Sequence, residues 1–306
     1  MKKSFSFSFF CLPFLASAMA LANPVAAATP STSIQLDAGT EYDSNLNVVE
    51  LDQYSTESDW AALFNARLNS QWQATDAVNL KAGYSYTSKN YRDQDEFDLT
   101  IQQLFADASY NFKLFTFGAS YHYADARLGG ADFLKLQQTS LYASRLFNNR
   151  IFIRGALNHQ DKDFPDTAER NASNNGLAGD VFVFFQEGKT FIAAGFSSEE
   201  ENAAQDQFSF DGASLRGSIN HKFSAWGKAN KLQLGWRYQD RDYAGVTPEI
   251  DARRYDRNQI INLDWEINVT SKIIAIGRIE RGNYQSNLPA ANYSETLASL
   301  LLSARF

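Results

Sequence analysis

Cysteine and proline are scarce in this sequence. Of its 306 residues, six are proline and one is cysteine, Cys11 near the amino terminus. A single cysteine cannot form an intramolecular disulfide, so other interactions must stabilise the fold. The formal net charge is −7. This argues against a general nucleic-acid-binding protein, because such proteins carry surplus positive charge.

Long apolar runs are also missing after the first residues. From residue 23 onward, no apolar stretch approaches the roughly 18 residues that a membrane-spanning helix needs. The chain is nonetheless 44% apolar and 14% aromatic, with 24 Phe, 14 Tyr and 5 Trp. This composition excludes an intrinsically disordered chain, in which aromatic residues are few.

The amino-terminal residues have the composition of a secretory signal peptide. Two lysines are followed by an apolar stretch (residues 5–15) and then by alternating alanines. This order predicts a signal at residues 1–22, with cleavage after Ala20, Ala22 or, at the latest, Ala28. A transmembrane anchor is the alternative, but the apolar part is too short to span a bilayer. Cleavage would remove the cysteine and take the formal charge from −7 to −9.

The rest of the chain alternates between apolar and polar residues. In KLQLGWRYQDRDY (residues 231–243), Leu232, Leu234, Trp236 and Tyr238 alternate with residues that are polar or Gly. Residues 60–72, 78–87 and 262–269 show the same period of two. In a strand, the two sets of side chains point to opposite faces.

Two architectures explain this pattern. A soluble sandwich buries one face of each strand, whereas a membrane barrel turns the apolar face to lipid and the polar face to a lumen. Aromatic residues such as Trp60 and Trp72 lie near strand ends, as in an interfacial girdle. The polar positions carry charges of both signs in mid-strand, and the connections alternate in length. These features favour an all-β, transmembrane, antiparallel up-and-down β-barrel.

About fourteen strands are expected between residues 33 and 306, after a short periplasmic segment at residues 23–32. The predicted strands lie near residues 33–42, 59–73, 78–89, 97–112, 114–126, 134–146, 150–162, 174–185, 189–198, 208–223, 231–243, 253–269, 272–283 and 293–306.

The predicted connections are alternately long and short. Those after odd-numbered strands are long and polar, such as SNLNVVELDQYSTES and EEENAAQD, whereas those after even-numbered strands are short, such as TS at positions 270–271. This asymmetry is typical of outer-membrane barrels, with short periplasmic turns and long outer loops. No outer loop is expected to be long enough to fill the bore alone.

The sequence ends on an aromatic residue, Phe306. In the last segment, Leu300 and Leu302 lie on the predicted outward parity, and Ser299 and Ser303 lie on the inward parity. We therefore expect the last strand to pair with the first and close the barrel. A terminal aromatic also resembles the signal that the bacterial barrel-insertion machinery reads.

The inward parity supplies the candidate lumen residues. The sequence predicts a narrow water-filled pore constricted by long charged side chains. The alternative is that these charges pair and hold the barrel shape. The candidates are Asp37, Glu41, Asp43, Arg67, Lys81, Asp107, Arg154, Asp180, Arg216, Arg237, Arg241, Asp264 and Glu266.

Catalytic motifs are weak. His122 shares a strand face with Ser120, but no acid partner is assigned, and neither G-x-S-x-G nor H-E-x-x-H occurs. We expect His122, His159 and His221 to be structural and the protein not to be an enzyme. The acidic run 199–201 is interpreted as a solvated loop beside lipopolysaccharide rather than a divalent-cation site. No catalytic residue, metal site or cofactor is expected.

Parts of the predicted barrel resemble known outer-membrane families. The stretch TEYDSNLN is similar to a turn in barrels linked to exopolysaccharide export and in surface lipoprotein assembly modifiers. DFPDTAERNASNNGLAGDVFVFF, RYQDRDY, ARRYDRNQ and NYQSNLPAANYSETLASLLLSARF resemble fourteen-stranded barrels fused to tetratricopeptide repeats. The resemblance covers about residues 33–306 and implies export or assembly of a surface product. Those families carry helical repeats before the barrel, and this sequence shows none there.

These observations predict a protein of the Gram-negative bacterial outer membrane. The leading interpretation is a narrow porin-like or export channel. The alternatives are a module that translocates or assembles a surface lipoprotein or polysaccharide with a periplasmic partner, and a structural barrel with a closed lumen. The expected partners are outer-membrane lipid, lipopolysaccharide, the insertion machinery and a periplasmic or secreted protein; nucleic acid is not expected.

Overall fold

The computed structural model describes residues 29–51 and 53–306, and the predicted signal peptide lies outside them. Alternating residues fold into extended strands because each strand can then present one apolar and one polar face. The strands are β1 (Ser31–Asp43), β2 (Leu46–Val48), β3 (Gln53–Ser55), β4 (Asp59–Gln73), β5 (Val78–Tyr91), β6 (Leu99–Asn111), β7 (Thr116–Leu128), β8 (Ala131–Phe147), β9 (Ile151–Asp163), β10 (Ala172–Phe185), β11 (Thr190–Ala203), β12 (Phe210–Ala225), β13 (Lys228–Thr247), β14 (Ala252–Asn268), β15 (Ile273–Ser286) and β16 (Tyr293–Arg305).

Short 3₁₀ turns lie in several connections. Their bounds are Val49–Leu51, Asp95–Phe97, Ala168–Arg170, Gln186–Gly188, Asp206–Phe208 and Pro289–Ala291. Within the described residues, no helix has the length and apolar composition needed to cross a membrane.

Within the described part of the chain, fourteen strands form one closed antiparallel barrel. They are β1 and β4–β16, each paired with its neighbours in the chain, and β1 pairs with β16 to close the sheet. The short strands β2 and β3 form a separate hairpin. The predicted fold class and strand number are confirmed, and β4 begins and ends where the sequence pattern predicted.

The strands differ from the prediction mainly at the end of the barrel with the long connections. β11 continues to Ala203 and β13 to Thr247, so parts of two predicted loops belong to the wall. The turn between β7 and β8 is only Gly129–Gly130, both with positive φ. The predicted rule that every outer connection is long is therefore wrong at this turn. Glycine adopts positive φ without the steric penalty of a side chain, which permits a tight hairpin there.

The two faces of the sheet have opposite character. Large apolar side chains are exposed along the outside, whereas polar side chains on the alternate parity are buried inside. In β16, Leu300 is 69% and Leu302 60% exposed, while Ser299 and Ser303 are almost fully buried. The exposed apolar band is the surface that lipid covers in an outer-membrane barrel.

The carboxyl terminus belongs to the closing seam. The Phe306 amide nitrogen donates to the Ile34 carbonyl oxygen at 2.9 Å, and the Ile34 amide nitrogen donates to the Phe306 carbonyl oxygen at 3.0 Å. The predicted pairing of the last strand with the first is confirmed. Backbone polar groups at the seam are thus satisfied, as they must be in a hydrocarbon environment.

The first long connection, residues 44–58, enters the lumen with its first part, residues 44–51. Its hairpin β2–β3 places Leu46 and Val48, both fully buried, against inward-facing side chains of the wall. The strand residues of this cluster are Ala61, Tyr91, Leu99, Ile101, Ala126, Leu128, Phe133 and Leu134, and Phe97 and Phe164 join it from two other connections. The connection was predicted as an outer loop. It folds inward because its apolar residues find an apolar patch on the lumen wall.

Candidate functional site

The lumen wall is the candidate functional site, and all thirteen predicted lumen residues lie on its inward parity. In the strand registers they stand opposite other inward positions; Asp180, for example, pairs with Arg154 on one side and Gly195 on the other. Asp37, Glu41 and Asp43 are almost completely buried. The structure therefore places these residues on one surface, and their role in lining a pore stays a prediction.

Several of the predicted residues form ion pairs with one another. Arg216 of β12 pairs with Asp180 of β10, two strands away. Gly195 of β11 lies between them, and a Cβ atom there would come within 2.5 Å of both the Arg216 Nε and the Asp180 Oδ1. Glycine thus leaves the room in which the two side chains meet across an intervening strand.

Other predicted residues pair with partners that the sequence interpretation did not single out. Lys89 of β5 contacts Glu41 at 2.7 Å and Asp43 at 3.1 Å. The Tyr91 hydroxyl also donates to Asp43, at 2.7 Å. Lys231 contacts Glu266 at 2.7 Å, and the two are directly opposite in the β13–β14 register.

The acidic run at residues 199–201 is not a loop. It lies in β11, with Glu199 and Glu201 facing the lumen and Glu200 facing outward. The Glu199 carboxylate is 3.4 Å from Arg241, and the Glu201 carboxylate is 2.6 Å from Lys162. The predicted solvated loop is therefore wrong, because cations on neighbouring strands hold two of these acids inside the barrel.

Strand parity could have identified most of the missed lumen residues. Lys89 and Lys162 lie an even number of residues from the predicted lumen positions Lys81 and Arg154 of the same strands, whereas Arg278 and Glu280 lie on β15, which carries none of the thirteen predicted residues. They were missed because they lie near predicted strand ends or because no partner was visible in the sequence. The pairing of Arg278 with Asp264 appears only once β14 and β15 are aligned.

Polar contacts also hold the first connection in the lumen. The Asn47 side-chain nitrogen donates to the Glu295 carboxylate of β16 at 3.2 Å. Arg170, from the connection between β9 and β10, donates to the Glu50 carbonyl oxygen at 2.7 Å. The connection thus contacts both the closing strand and a loop that joins two later strands, and it occupies part of the lumen.

Glu50 is the titratable group of this inserted connection. Its Oε2 atom is buried and has no hydrogen-bond partner. Burial raises the pKa of the Glu50 carboxyl to about 7, although the nearby cations Lys162 and Arg241 lower it and Glu201 raises it. A carboxyl that is costly to ionise in the inserted position links the position of the connection to pH.

The three histidines occupy different faces. His122 faces the lumen on the same strand as Ser120, and Asp107 stands directly opposite Ser120 in the β6–β7 register. The Asp107 carboxylate accepts a hydrogen bond from the Tyr142 hydroxyl at 2.8 Å.

His159 and His221 lie on the outward parity, so they cannot join this lumen group. The acid that the sequence left unassigned is therefore close to Ser120, but it is engaged by a tyrosine. That the protein is not an enzyme stays a prediction.

Metal ligands do not cluster in the described part of the chain. Among those residues, no group of three or more His, Cys, Asp or Glu side chains could hold a metal ion. The carboxylates of the lumen are instead engaged largely by Lys, Arg, Tyr, Ser and Asn.

Comparison with known proteins identifies the fold but not a family. No family model matches the chain, and no curated protein matches its sequence. Solved outer-membrane structures do match. The in-vitro folded, trimeric OmpT of Vibrio cholerae has a TM-score of 0.56 and 8% identity, covering 91% of this chain and 100% of its own. The anion-selective porin of Comamonas acidovorans has a TM-score of 0.53 and 10% identity, covering 91% and 99%.

A third structure, CdiB of Acinetobacter baumannii, has a TM-score of 0.52 and 11% identity, covering 89% of this chain but 60% of its own. These likenesses show that the chain has the fold of bacterial outer-membrane β-barrels. The finer resemblance to surface lipoprotein assembly modifiers is not shown by them.

Proposed function

We propose that this protein is a narrow channel for small hydrophilic solutes in the bacterial outer membrane. The observation that carries the proposal is the inner wall of the closed barrel, which is polar and charged outside the apolar patch that the connection 44–58 covers, whereas the outer wall is apolar. Charged side chains in such numbers retain water, and a hydrated bore through a bilayer is a pathway for solutes.

Two features keep this channel narrow. Ion pairs such as Arg216–Asp180 and Lys162–Glu201 project from the wall across intervening strands. The connection 44–58 takes up part of the remaining space at one end. The likeness in fold to an anion-selective porin agrees with a channel.

A closed structural barrel is the second candidate, since the same ion pairs and the inserted connection also fill the lumen. Export or assembly of a surface lipoprotein or polysaccharide, with a periplasmic partner, rests on the sequence resemblance alone.

In each case we propose that the terminal strand β16 is the segment that the insertion machinery reads. Lipopolysaccharide and outer-membrane lipid would surround the exposed apolar band.

Conductance of the refolded protein in planar bilayers separates these candidates. A channel gives discrete current steps that scale with salt concentration. Folded protein, verified by its heat-modifiable mobility on gels, that gives no current above the lipid baseline would contradict the channel and support the closed barrel. An export module is tested by deleting the gene and following surface display of lipoprotein and polysaccharide; unchanged display argues against it.

A further inference from the structure

Five inward-facing residues form one continuous row across five neighbouring strands. Arg154 of β9 stands opposite Asp180 of β10, which stands opposite Gly195 of β11. Gly195 in turn stands opposite Arg216 of β12, which stands opposite Arg237 of β13. We call these five residues the arginine row. Three cations and one anion in a single row give it a formal excess of two positive charges.

Only one arginine of the row is neutralised by an ion pair. Asp180 pairs with Arg216 across Gly195. Arg154 lies 4.3 Å over the ring of Tyr142, and its buried Nε has no hydrogen-bond partner. Within the described residues, neither Arg154 nor Arg237 has a carboxylate within ion-pair distance. Two guanidinium groups therefore remain available to a ligand in the lumen.

The remaining lumen cations are mostly neutralised. Each of a group of eight contacts a carboxylate: Arg67, Lys89, Lys162, Lys231, Arg241, Arg254, Arg278 and Arg305. Lys81 stands opposite Asp107 in the β5–β6 register. The arginine row is thus one of two parts of the lumen wall where positive charge exceeds negative charge; the other is the cluster of Lys222, Lys231 and Arg305 around Glu266.

The carboxylate of Glu280, on a strand outside the row, partly offsets the positive charge of the arginine row. Glu280 of β15 interacts electrostatically with Arg237 across β14, without forming an ion pair within 4 Å. An anion at the row therefore meets Arg154, Arg216 and, beside Arg216 on the next strand, Arg237, whose charge Glu280 partly offsets. This arrangement makes Glu280 a position at which removal of one negative charge should strengthen anion binding.

Resting on the proposed channel function, we propose that the arginine row is a lumenal binding site for small oxyanions and makes the channel anion-selective. Guanidinium groups bind phosphate and carboxylate oxygens in a planar, two-point geometry, which favours these anions over chloride. A row of guanidinium groups at a constriction also repels cations. At the centre of the row, the Arg216–Asp180 ion pair occupies the space over Gly195, and Arg154 and Arg237 flank this pair on the outer strands of the row.

The test is the reversal potential in a potassium chloride gradient, with inorganic phosphate as the probe of the site. We expect the wild-type channel to prefer chloride over potassium, and millimolar phosphate to reduce its chloride current. Arg154→Gln combined with Arg237→Gln should lower the chloride-to-potassium permeability ratio by at least about twofold and abolish the phosphate effect. Glu280→Gln should shift the same ratio in the opposite direction.

Arg257→Gln is the matched control, because Arg257 faces outward and pairs with Asp240 on the outside of the wall. It should leave both measurements unchanged. If the double variant does not fold, the single variants Arg154→Gln and Arg237→Gln serve instead, each with a smaller shift in the same direction.

The outcomes separate the site from the function. Absence of any conductance would contradict the channel itself. Conductance with a preference for potassium, or a double variant with the wild-type permeability ratio and phosphate block, would overturn the arginine row while leaving the channel intact.

Discussion

Two parts of the lumen wall differ in the side chains that they carry and in what fills the lumen beside them. On β5–β9, toward the long connections, the inward side chains include Leu99, Ile101 and Leu134, and the inserted connection covers them. On β9–β13, the inward side chains are charged, and partners such as Asp180 and Arg216 bridge across strands. The first region is apolar and closely packed, and the second retains charged groups that water can hydrate.

The difference shows how side-chain chemistry decides which part of a lumen is occupied. Apolar wall exposed to water would cost free energy in proportion to its area, so a segment that covers it is stabilised there. Charged wall gains no such benefit from cover, because a covering segment would have to desolvate the charges. The connection 44–58 therefore lies on the apolar side.

The largest expected effect comes from breaking the apolar contact. Leu46→Asp would place a carboxylate in a site with no exposure to water, at a cost of several kcal/mol in the inserted position. We expect the connection to leave the lumen and the single-channel conductance to rise, with the barrel still folded. Thr56→Asp, at an exposed position of the same connection, is the control and should change little.

Equal conductance of Leu46→Asp and wild type would show that the inserted connection does not limit the current. Loss of the folded barrel in gel mobility would show instead that the connection supports the wall itself.

A change on the charged side should have an intermediate effect. Gly195→Val would push a side chain into the space where Arg216 and Asp180 meet. The ion pair must separate or the strands must shift, at a cost of about 1–3 kcal/mol. We expect a lower urea midpoint for unfolding of the barrel in detergent.

Gly179→Val is the matched control for this substitution. Gly179 is on the outward face of the adjacent strand β10, and a Cβ atom there meets nothing within 4 Å. An equal shift of the urea midpoint in both variants would mean that loss of glycine, rather than the separated ion pair, is responsible.

The smallest expected effect is a pH dependence of the inserted connection. The pKa of Glu50 is raised to about 7 in the inserted position and returns to its ordinary value of 4.5 when the connection is released. Since the inserted state binds the proton more tightly, insertion is most stable below pH 4.5 and weakens as the pH rises to about 7. We therefore expect the proposed channel to conduct more at pH 7.5, where the connection leaves the lumen more often, than at pH 4.5.

Glu50→Gln should flatten this pH dependence, since the amide does not titrate. Glu57→Gln, at an exposed position of the same connection, is the control and should keep the wild-type response. A pH response that persists unchanged in Glu50→Gln would assign it to another group, with the lumen carboxylates as the next candidates.

The sequence predicted the wall well because strand parity is a local property. The alternation within a single strand is enough to predict which side chains face lipid and which face the lumen. Positions such as Leu300 and Ser303 were therefore assigned correctly. Strand ends were less certain. Polar residues continue the alternation beyond the membrane, and Glu199 and Glu201 therefore looked like a loop.

The candidate site was only partly visible in the sequence. The thirteen lumen residues were placed on the correct parity, but Lys89, the partner of Glu41, and the whole Lys162–Glu201 ion pair were missed. An ion pair between strands that are not adjacent depends on register and on the gap that a residue such as Gly195 leaves. Neither quantity is encoded in the alternation of a single strand.

By itself, the sequence determined that strands of period two form a closed wall with an apolar outside and a charged inside, because side-chain direction in a strand follows residue number. Tertiary structure alone decided that residues 44–51 fold inward and that Arg154, Asp180, Arg216 and Arg237 share one row. Both results depend on which distant residues meet once the sheet closes. Contacts of that kind are fixed by register and packing, which no local pattern specifies.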